Sequence, residues 1–319
     1  MKSRWPGRIL GGIGIFSVLI LLISLINDNK EISKVNENGS FTEGQQVVSY
    51  DLPDTLYFAG ERVPLENYDT RESLDRELNS NAYFHSSTLL LIKRSHRYFP
   101  VIEPILESYN IPEDFKYLAV AESNLTNAVS PAGARGYWQF LASTAREYGL
   151  EINREVDERY HLEKSTEAAC KYFLKSYEKY GNWTMVAASY NRGSRGVDRL
   201  IDIQGQDNYY DLLLPEETSR YVFRILAFKT IFQNQEKYGF NIPDDHLYPP
   251  LDYVSVSIDT AVSSFADFAK HFETNYKILK ALNPWLRQPY LHNREGETYE
   301  IKVPSEGART RVYNYQDGY

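Results

Sequence analysis

Glu122 is the residue whose type and setting first point to chemistry. In EDFKYLAVAES, Glu113 to Ser123, helical spacing puts Phe115, Leu118 and Glu122 at i, i+3 and i+7, so the carboxyl shares a stripe with apolar side chains. Ala119 and Ala121 offer it little polar cover. Burying a charge is costly, so the pKa of such a glutamate is expected to rise. A carboxyl that keeps its proton near neutral pH can deliver it as a general acid. A structural carboxylate paired with arginine, or capping a backbone group, fits this position equally well.

The segments downstream favour chemistry. Ser130-Pro131-Ala132-Gly133-Ala134-Arg135-Gly136 is rich in turn residues, and its glycines permit close backbone approach. Tyr137-Trp138-Gln139-Phe140 follows, an aromatic pair and then an amide that can donate and accept. Ser189-Tyr190-Asn191-Arg192-Gly193 sets a phenol and an amide at a helix end. Aromatic faces with convergent amides suit a carbohydrate cleft, although Tyr190 would serve as well in the core. The chain carries 26 tyrosines against 15 phenylalanines. A flat apolar ring with a polar tip suits sugars, but it also suits a partly wet core, which is the plainer reading.

Other chemistries lack their residues. The six histidines are scattered with no His-Glu-x-x-His pattern, and neither a phosphate-cradling glycine loop nor a G-x-S-x-G elbow is found. No cofactor is expected. The single cysteine, Cys170, excludes an internal disulfide and sits in a helical run where it should pack. A net charge of −8 with no long basic stretch argues against nucleic acid as a partner.

The elements that must hold these residues are mostly helical. Residues 70–110 carry helical spacing with an expected break at Pro100, and Ile111-Pro112-Glu113-Asp114 opens the Glu122 helix. Residues 163–180 repeat Ala168, Ala169, Tyr172, Phe173, Tyr177 and Tyr180 and stop at Gly181. Shorter helices are expected over 183–191 and 195–203, and a long one over 216–238. Thr144 and Glu147 read as a capping box. After Pro243 the character changes: residues 253–258 alternate like a strand, 265–282 supply helix, Asn283-Pro284 ends it, and 299–303 return as a strand. The expected organisation is a basic tip (1–8), a transmembrane signal anchor (9–26), a flexible tether (27–50), a helical catalytic domain with an N-terminal extension (51–240), a small β-α-β module (250–305) and a tail (306–319).

The N-terminal expectation rests on Ile9 to Ile26, an uncharged apolar run whose 18 residues span about 27 Å as a helix, close to a bilayer core. Lys2, Arg4 and Arg8 precede it, so the positive-inside rule places the remainder of the chain outside the cytoplasm, held at the inner membrane by a single pass. A cleaved signal peptide is the weaker alternative, because Ser24-Leu25-Ile26 makes a poor cleavage site.

Taken together, Glu122-Ser123, Ser130-Pro131-x-Gly133-Ala134-x-Gly136-x-Trp138-Gln139-Phe140, Ser143-Thr144-Ala145 with Tyr148-Gly149-Leu150, Ser189-Tyr190-Asn191 and Glu217-Thr218-x-x-Tyr221-Val222 resemble, in order, the motifs of the soluble lytic transglycosylase domain with its goose-type-lysozyme-like fold. Val63-Pro64-Leu65 and Ile111-Pro112-x-Asp114-x-x-Tyr117-Leu118-Ala119 are most similar to the membrane-bound murein transglycosylase D type. The likeness covers about residues 60–240. Departures are Tyr137-Trp138 in place of the commoner aliphatic-Met pair, Ser189, Arg192, and Leu141-Ala142 without a frequent proline.

The resemblance implies that Glu122 protonates the oxygen between N-acetylmuramic acid and N-acetylglucosamine in peptidoglycan strands. The same group then takes the proton of the muramic 6-hydroxyl, leaving a 1,6-anhydro end. It further implies that Ser123 and Gln139 orient Glu122 or the N-acetyl group, that Trp138, Tyr190 and Asn191 line the substrate, and that Tyr221 contacts Glu122. Arg135 reads as a surface charge, or as a partner for stem-peptide carboxylates. Residues 252–304 resemble a diverged LysM unit through Ile258, Phe265, Phe268, Phe272, Tyr276, Leu279, Leu282-Asn283-Pro284 and Val303-Pro304, which implies binding of N-acetylglucosamine chains or docking of a cell-wall protein partner. The competing functions are a hydrolytic muramidase of the same fold and a non-catalytic wall-binding scaffold.

Overall fold

The computed structural model describes residues 47–311; the basic tip, the apolar run 9–26, most of the expected tether and the end of the tail lie outside them. Among the described residues no helix is long and apolar enough to cross a membrane. The described part is mainly helical, with a small two-stranded module at its C-terminal end.

A short antiparallel pair opens it, β1 (Tyr57–Phe58) against β2 (Glu61–Arg62). Helices α1 (Tyr68–Tyr83) and α2 (His85–Ser108) follow. Pro100 does not break α2; both Pro100 and Pro104 lie inside it. Each removes a helix hydrogen bond, but both face solvent, where the carbonyls left over can be hydrated. A 3-10 turn (Glu113–Phe115) leads into the glutamate helix, α3 (Lys116–Ser123), which ends on Asn124 in the left-handed conformation. Its apolar face is that read from the spacing, with Phe115 and Leu118 fully buried.

Helix α4 spans Ala142–Glu147. It starts two residues before the expected capping box, so Thr144 lies inside it and Glu147 instead takes a hydrogen bond from Lys175. Next come α5 (Leu162–Tyr180), α6 (Trp183–Arg192), α7 (Ser194–Gln204) and α8 (Glu216–Gln233). A separate 3-10 turn, Glu236–Tyr238, completes the stretch expected as one helix to 238. The main core gathers α3, α5, α6 and α8 around Phe115, Leu118, Trp138, Phe173, Val186 and Tyr221.

The C-terminal module pairs β3 (Tyr253–Ile258) antiparallel with β4 (Tyr299–Pro304), in a register running from Tyr253 opposite Pro304 to Ile258 opposite Tyr299. The helical material between them is two helices, α9 (Phe265–His271) and α10 (Tyr276–Leu282). Asn283 is wholly buried after α10; its amide donates to the carbonyls of Leu279 and Lys302 and its oxygen accepts from the Lys302 N–H. Satisfying the group this completely makes it a pin between helix end and strand, not a buried liability.

The module is not set off by a loose linker. Tyr248 donates its N–H to the Lys93 carbonyl and Arg97 donates to the Pro249 carbonyl, which lays the connection along α2. Residues 151–160 of the helical part enter the module: Val156 and Tyr160 are buried with Val262, Phe265, Leu279 and Leu286. Backbone bonds join Asp157 N–H to the Trp285 carbonyl (2.9 Å) and Arg287 N–H to the Glu155 carbonyl (2.6 Å).

Candidate active site

Three helices bring the site together. Helix α3 carries Glu122 near its C-terminal end, α6 carries Tyr190 and Asn191 in its last turn, and α8 passes Tyr221 beneath the glutamate. The N-terminal extension holds α6 in place. Glu61 accepts from the backbone N–H groups of Trp183 and Thr184 and from the Thr184 hydroxyl, while Asn182 caps Met185 N–H. A carboxylate at a helix N-terminus satisfies otherwise orphaned donors and complements the dipole. Asp114 anchors the same extension, accepting from Ala59 N–H at 2.6 Å and from Lys229 at 2.7 Å.

Glu122 is half-buried. Tyr221, 2% exposed, donates its hydroxyl to Glu122 Oε1 at 2.5 Å. Burial pushes the glutamate's pKa up from an ordinary 4.5 to about 7. The Tyr221 hydrogen bond pulls the other way, the charge of exposed Glu217 adds to the rise, and Arg224 opposes it. Desolvation is the largest cause, and a short hydrogen bond to the carboxylate only partly offsets it. The result is a carboxyl that holds its proton for about half the time at neutral pH, oriented by a phenol that burial itself keeps protonated well above the ordinary range.

The loop 128–140 turns at its glycines and meets α6 where the Trp138 carbonyl receives the Tyr190 hydroxyl. Gly133 and Gly136 both have positive φ. At Gly136 a Cβ would stand 1.8 Å from the Arg159 carbonyl oxygen, so no larger residue fits this crossing of two backbones. Ser130 Oγ accepts from Ala134 N–H, closing the turn.

The sequence-expected residues divide by what they touch. Tyr221 contacts Glu122. Tyr190 packs against Phe140, Tyr172 and Phe173 and donates its hydroxyl to the Trp138 carbonyl at 2.6 Å. Burial, and then the charge of Glu122, raise its pKa well above the usual phenol value. Asn191 accepts from the Thr218 hydroxyl at 2.9 Å, which ties α6 to α8. Gln139, itself at φ 49°, donates its amide to the carbonyls of Ala128 and Gly136, holding the loop. Ser123 donates its hydroxyl back to the Ala119 carbonyl within its own helix. Trp138 is fully buried with its indole N–H on Thr166, so here it presents no surface to a ligand. Arg135 is partly exposed and leans on Asp157 at 3.5 Å. Cys170 is buried, its thiol pushed up to about 12 by desolvation.

Sequence reasoning did not single out Arg224 or the Asp157–Arg159 pair, and it gave Thr218 only as a motif residue, not as the partner of Asn191. Arg224 stands one turn beyond Tyr221 and was within reach of the i, i+3 argument. Arg159 carries no signal, because its role depends on a backbone crossing between distant segments. Two cavities, of about 640 Å³ and 320 Å³, lie between the helical part and the module; Glu122 lines neither. Among the described residues no group of His, Cys, Asp and Glu is placed to hold a metal ion.

Comparison with known proteins bears on the family. Residues 100–213 match the transglycosylase SLT domain, and residues 254–307 match the soluble lytic transglycosylase C-terminal LysM-like domain. The chain is 31% identical over 225 residues to membrane-bound lytic murein transglycosylase D of Escherichia coli strain K12, an alignment covering 68% of this chain and 49% of that protein. The protein of the same name from Escherichia coli O6:H1 strain CFT073 gives the same figures. The chain thus spans about half the length of the curated relatives it matches. With its glutamate helix and glycine loop inside the first match and its strand pair, all but Tyr253, inside the second, the chain combines a transglycosylase SLT domain with a C-terminal LysM-like domain.

Proposed function

We propose that the chain is a peptidoglycan lytic transglycosylase. The observation that carries this is the setting of Glu122: a half-buried carboxyl, raised to about 7 and held by Tyr221. Such a group can give a proton and take one back within a single turnover.

The reaction follows from that capacity. Protonated Glu122 gives its proton to the oxygen joining N-acetylmuramic acid to N-acetylglucosamine, and the C1–O bond breaks toward an oxocarbenium-like state. The carboxylate left behind removes the proton from the muramic 6-hydroxyl, whose oxygen closes on C1. The products are a freed 4-hydroxyl and a 1,6-anhydro ring, and no water is consumed. Tyr221 orients the carboxyl at both stages. Tyr190, Asn191, Gln139 and Ser123 shape the subsite, the last two through the backbone they hold. On this reading residues 9–26 anchor the chain in the inner membrane, with the catalytic part on the outer side and glycan strands as its partner. The LysM-like module contributes glycan binding.

A glycosidase that admits water needs a second carboxyl beside the sugar. Glu217 is near enough for its charge to act on Glu122, which keeps a hydrolytic muramidase as the second reading. Digestion of purified sacculi followed by mass spectrometry separates the two. The lyase releases muropeptides with 1,6-anhydro ends, lighter by one water than the reducing-end products of hydrolysis. Exclusively reducing ends would overturn the proposal in favour of hydrolysis. No release at all, with Glu122→Gln indistinguishable from the unaltered protein, would leave the scaffold reading.

A further inference from the structure

Asp157 and Arg159 are 3% and 4% exposed and form a buried ion pair remote from Glu122 in sequence. Arg159 Nε donates to Asp157 Oδ1 at 2.8 Å and Nη2 to Oδ2 at 2.7 Å, a two-pronged pairing that fixes the guanidinium plane. Its remaining terminal nitrogen donates to the carbonyls of Gly133 and Phe140, both at 3.2 Å. These carbonyls belong to the two limbs of the glycine loop, so one side chain clamps the loop at both ends. At Gly136 the same loop rests directly on the Arg159 backbone. Between the clamped points lies Trp138, whose carbonyl receives the Tyr190 hydroxyl, and Gln139, whose amide closes the loop on Ala128 and Gly136.

The other side of the pair is held by the module. Asp157 donates its N–H to the Trp285 carbonyl. Val156 bridges antiparallel to Leu286, Gln288 donates to the Arg154 carbonyl at 3.0 Å, and the Arg287 guanidinium lies 4.2 Å from the Tyr160 ring centroid. Residues 154–160 are therefore shared: one edge is seated in the module, and the other carries the arginine that shapes the loop.

We infer that Arg159 is a positioning residue for the glycine loop that receives Tyr190 beside Glu122, and that the LysM-like module sets the geometry of that loop through residues 154–160. The inference rests on the transglycosylase reading for its kinetic consequence, but its structural consequence is independent of it. Lysine in place of Arg159 keeps the charge yet cannot hold both Asp157 oxygens and both loop carbonyls at once. Shortening Leu286 loosens the module's grip on Val156 from the far side.

The test uses the full chain carrying Arg159→Lys, Leu286→Ala and both, at a temperature where circular dichroism shows each folded. Hydrogen exchange followed by mass spectrometry should show faster exchange at residues 128–141 in all three variants, with α8 unchanged. Unchanged protection of 128–141 in Leu286→Ala would overturn the link to the module, whatever the protein catalyses. On sacculi, Arg159→Lys should lower kcat about tenfold with KM within about twofold, the cost of a modest misplacement of reacting groups. It should also raise the share of reducing ends, as a loosened loop admits water. Loss of folded protein alone would not move that share. The double variant should be no slower than the slower single variant by more than about twofold, because both act through one segment. Full kcat with an unaltered product ratio in Arg159→Lys would overturn the positioning role. Absence of anhydro ends from the unaltered protein would instead strike the proposed function, leaving the exchange measurement to decide the inference.

Discussion

Replacing Glu122 by glutamine should abolish turnover and at the same time stabilise the protein, by an amount that grows with pH. The folded state raises the carboxyl from 4.5 to about 7, chiefly through desolvation. Below pH 4.5 the group is protonated in both folded and unfolded chains and contributes nothing to the difference from glutamine. As pH rises, the unfolded chain gives up the proton first, so the folded state binds more protons and stability falls. The loss is complete once pH passes the folded value near 7. At 1.36 kcal/mol per pH unit, the gap corresponds to about 3 kcal/mol. Partial exposure of the carboxyl makes that an upper figure, and about 2 kcal/mol is the working expectation.

The amide can still accept from the Tyr221 hydroxyl, so the geometry is kept while the charge is removed. Urea unfolding at pH 4 and pH 8.5 is the assay. The two proteins should agree within about 0.5 kcal/mol at pH 4, and the glutamine variant should lead by about 2 kcal/mol at pH 8.5, with equal m-values. A difference that does not change between the two pH values, or that favours glutamate at pH 8.5, would refute the claim that the fold holds this carboxyl against its charged form.

If Glu122 is the proton donor, kcat of the unaltered chain on sacculi should be steady below neutrality and fall about tenfold per pH unit above pH 7, as the carboxyl loses its proton; an alkaline limb near pH 5 would contradict the raised value. Tyr221→Phe removes a hydrogen bond that favours the charged form, so that limb should move to higher pH while kcat drops about tenfold through lost orientation; a limb moving to lower pH would reverse the assignment. Glu217→Gln removes a like charge, so the limb should move to lower pH, less so at high salt, with kcat nearly intact; collapse of kcat would make Glu217 the second carboxyl of a hydrolase. Gly136→Ala should cost about 3 kcal/mol or more, read by urea unfolding, since a Cβ there meets the Arg159 carbonyl and φ is +81°.

Much of this site is legible in the sequence because it depends on short-range spacing. Phe115, Leu118 and Glu122 fall on one stripe by helical geometry alone, and the structure buries the first two completely. Gly181 ends α5 in the left-handed conformation as its position suggests. Legibility fails where long-range packing decides. Pro100 sits inside a helix because its side of α2 faces water. Thr144 is no cap because α4 starts at Ala142. The Asp157–Arg159 clamp reaches 19 and 26 positions back to Phe140 and Gly133, and the entry of Val156 into the module meets Leu286, more than a hundred positions on; no periodicity in these segments encodes either meeting. Residues 9–26 bear the expected anchor, which lies outside the described part.

The tyrosine excess shows how such long-range pairings are met with one residue type. Tyr172 donates to the Ser189 carbonyl, Tyr190 to Trp138, Tyr180 to Ser194, and Tyr209 to Thr218 and Ser219. In each case the ring lies among apolar neighbours while the hydroxyl reaches a backbone carbonyl on another element or across a turn. Phenylalanine would pack as well but leave a carbonyl unanswered, at a cost of about 1–3 kcal/mol where the carbonyl is buried. The plainer reading of the composition therefore accounts for these tyrosines: they are staples in a partly polar core. Tyr221 is the same device aimed at a carboxyl. A buried phenol that elsewhere closes a backbone here donates to Glu122, the group proposed to give and retrieve the proton, so the candidate site uses the fold's own means of joining helices.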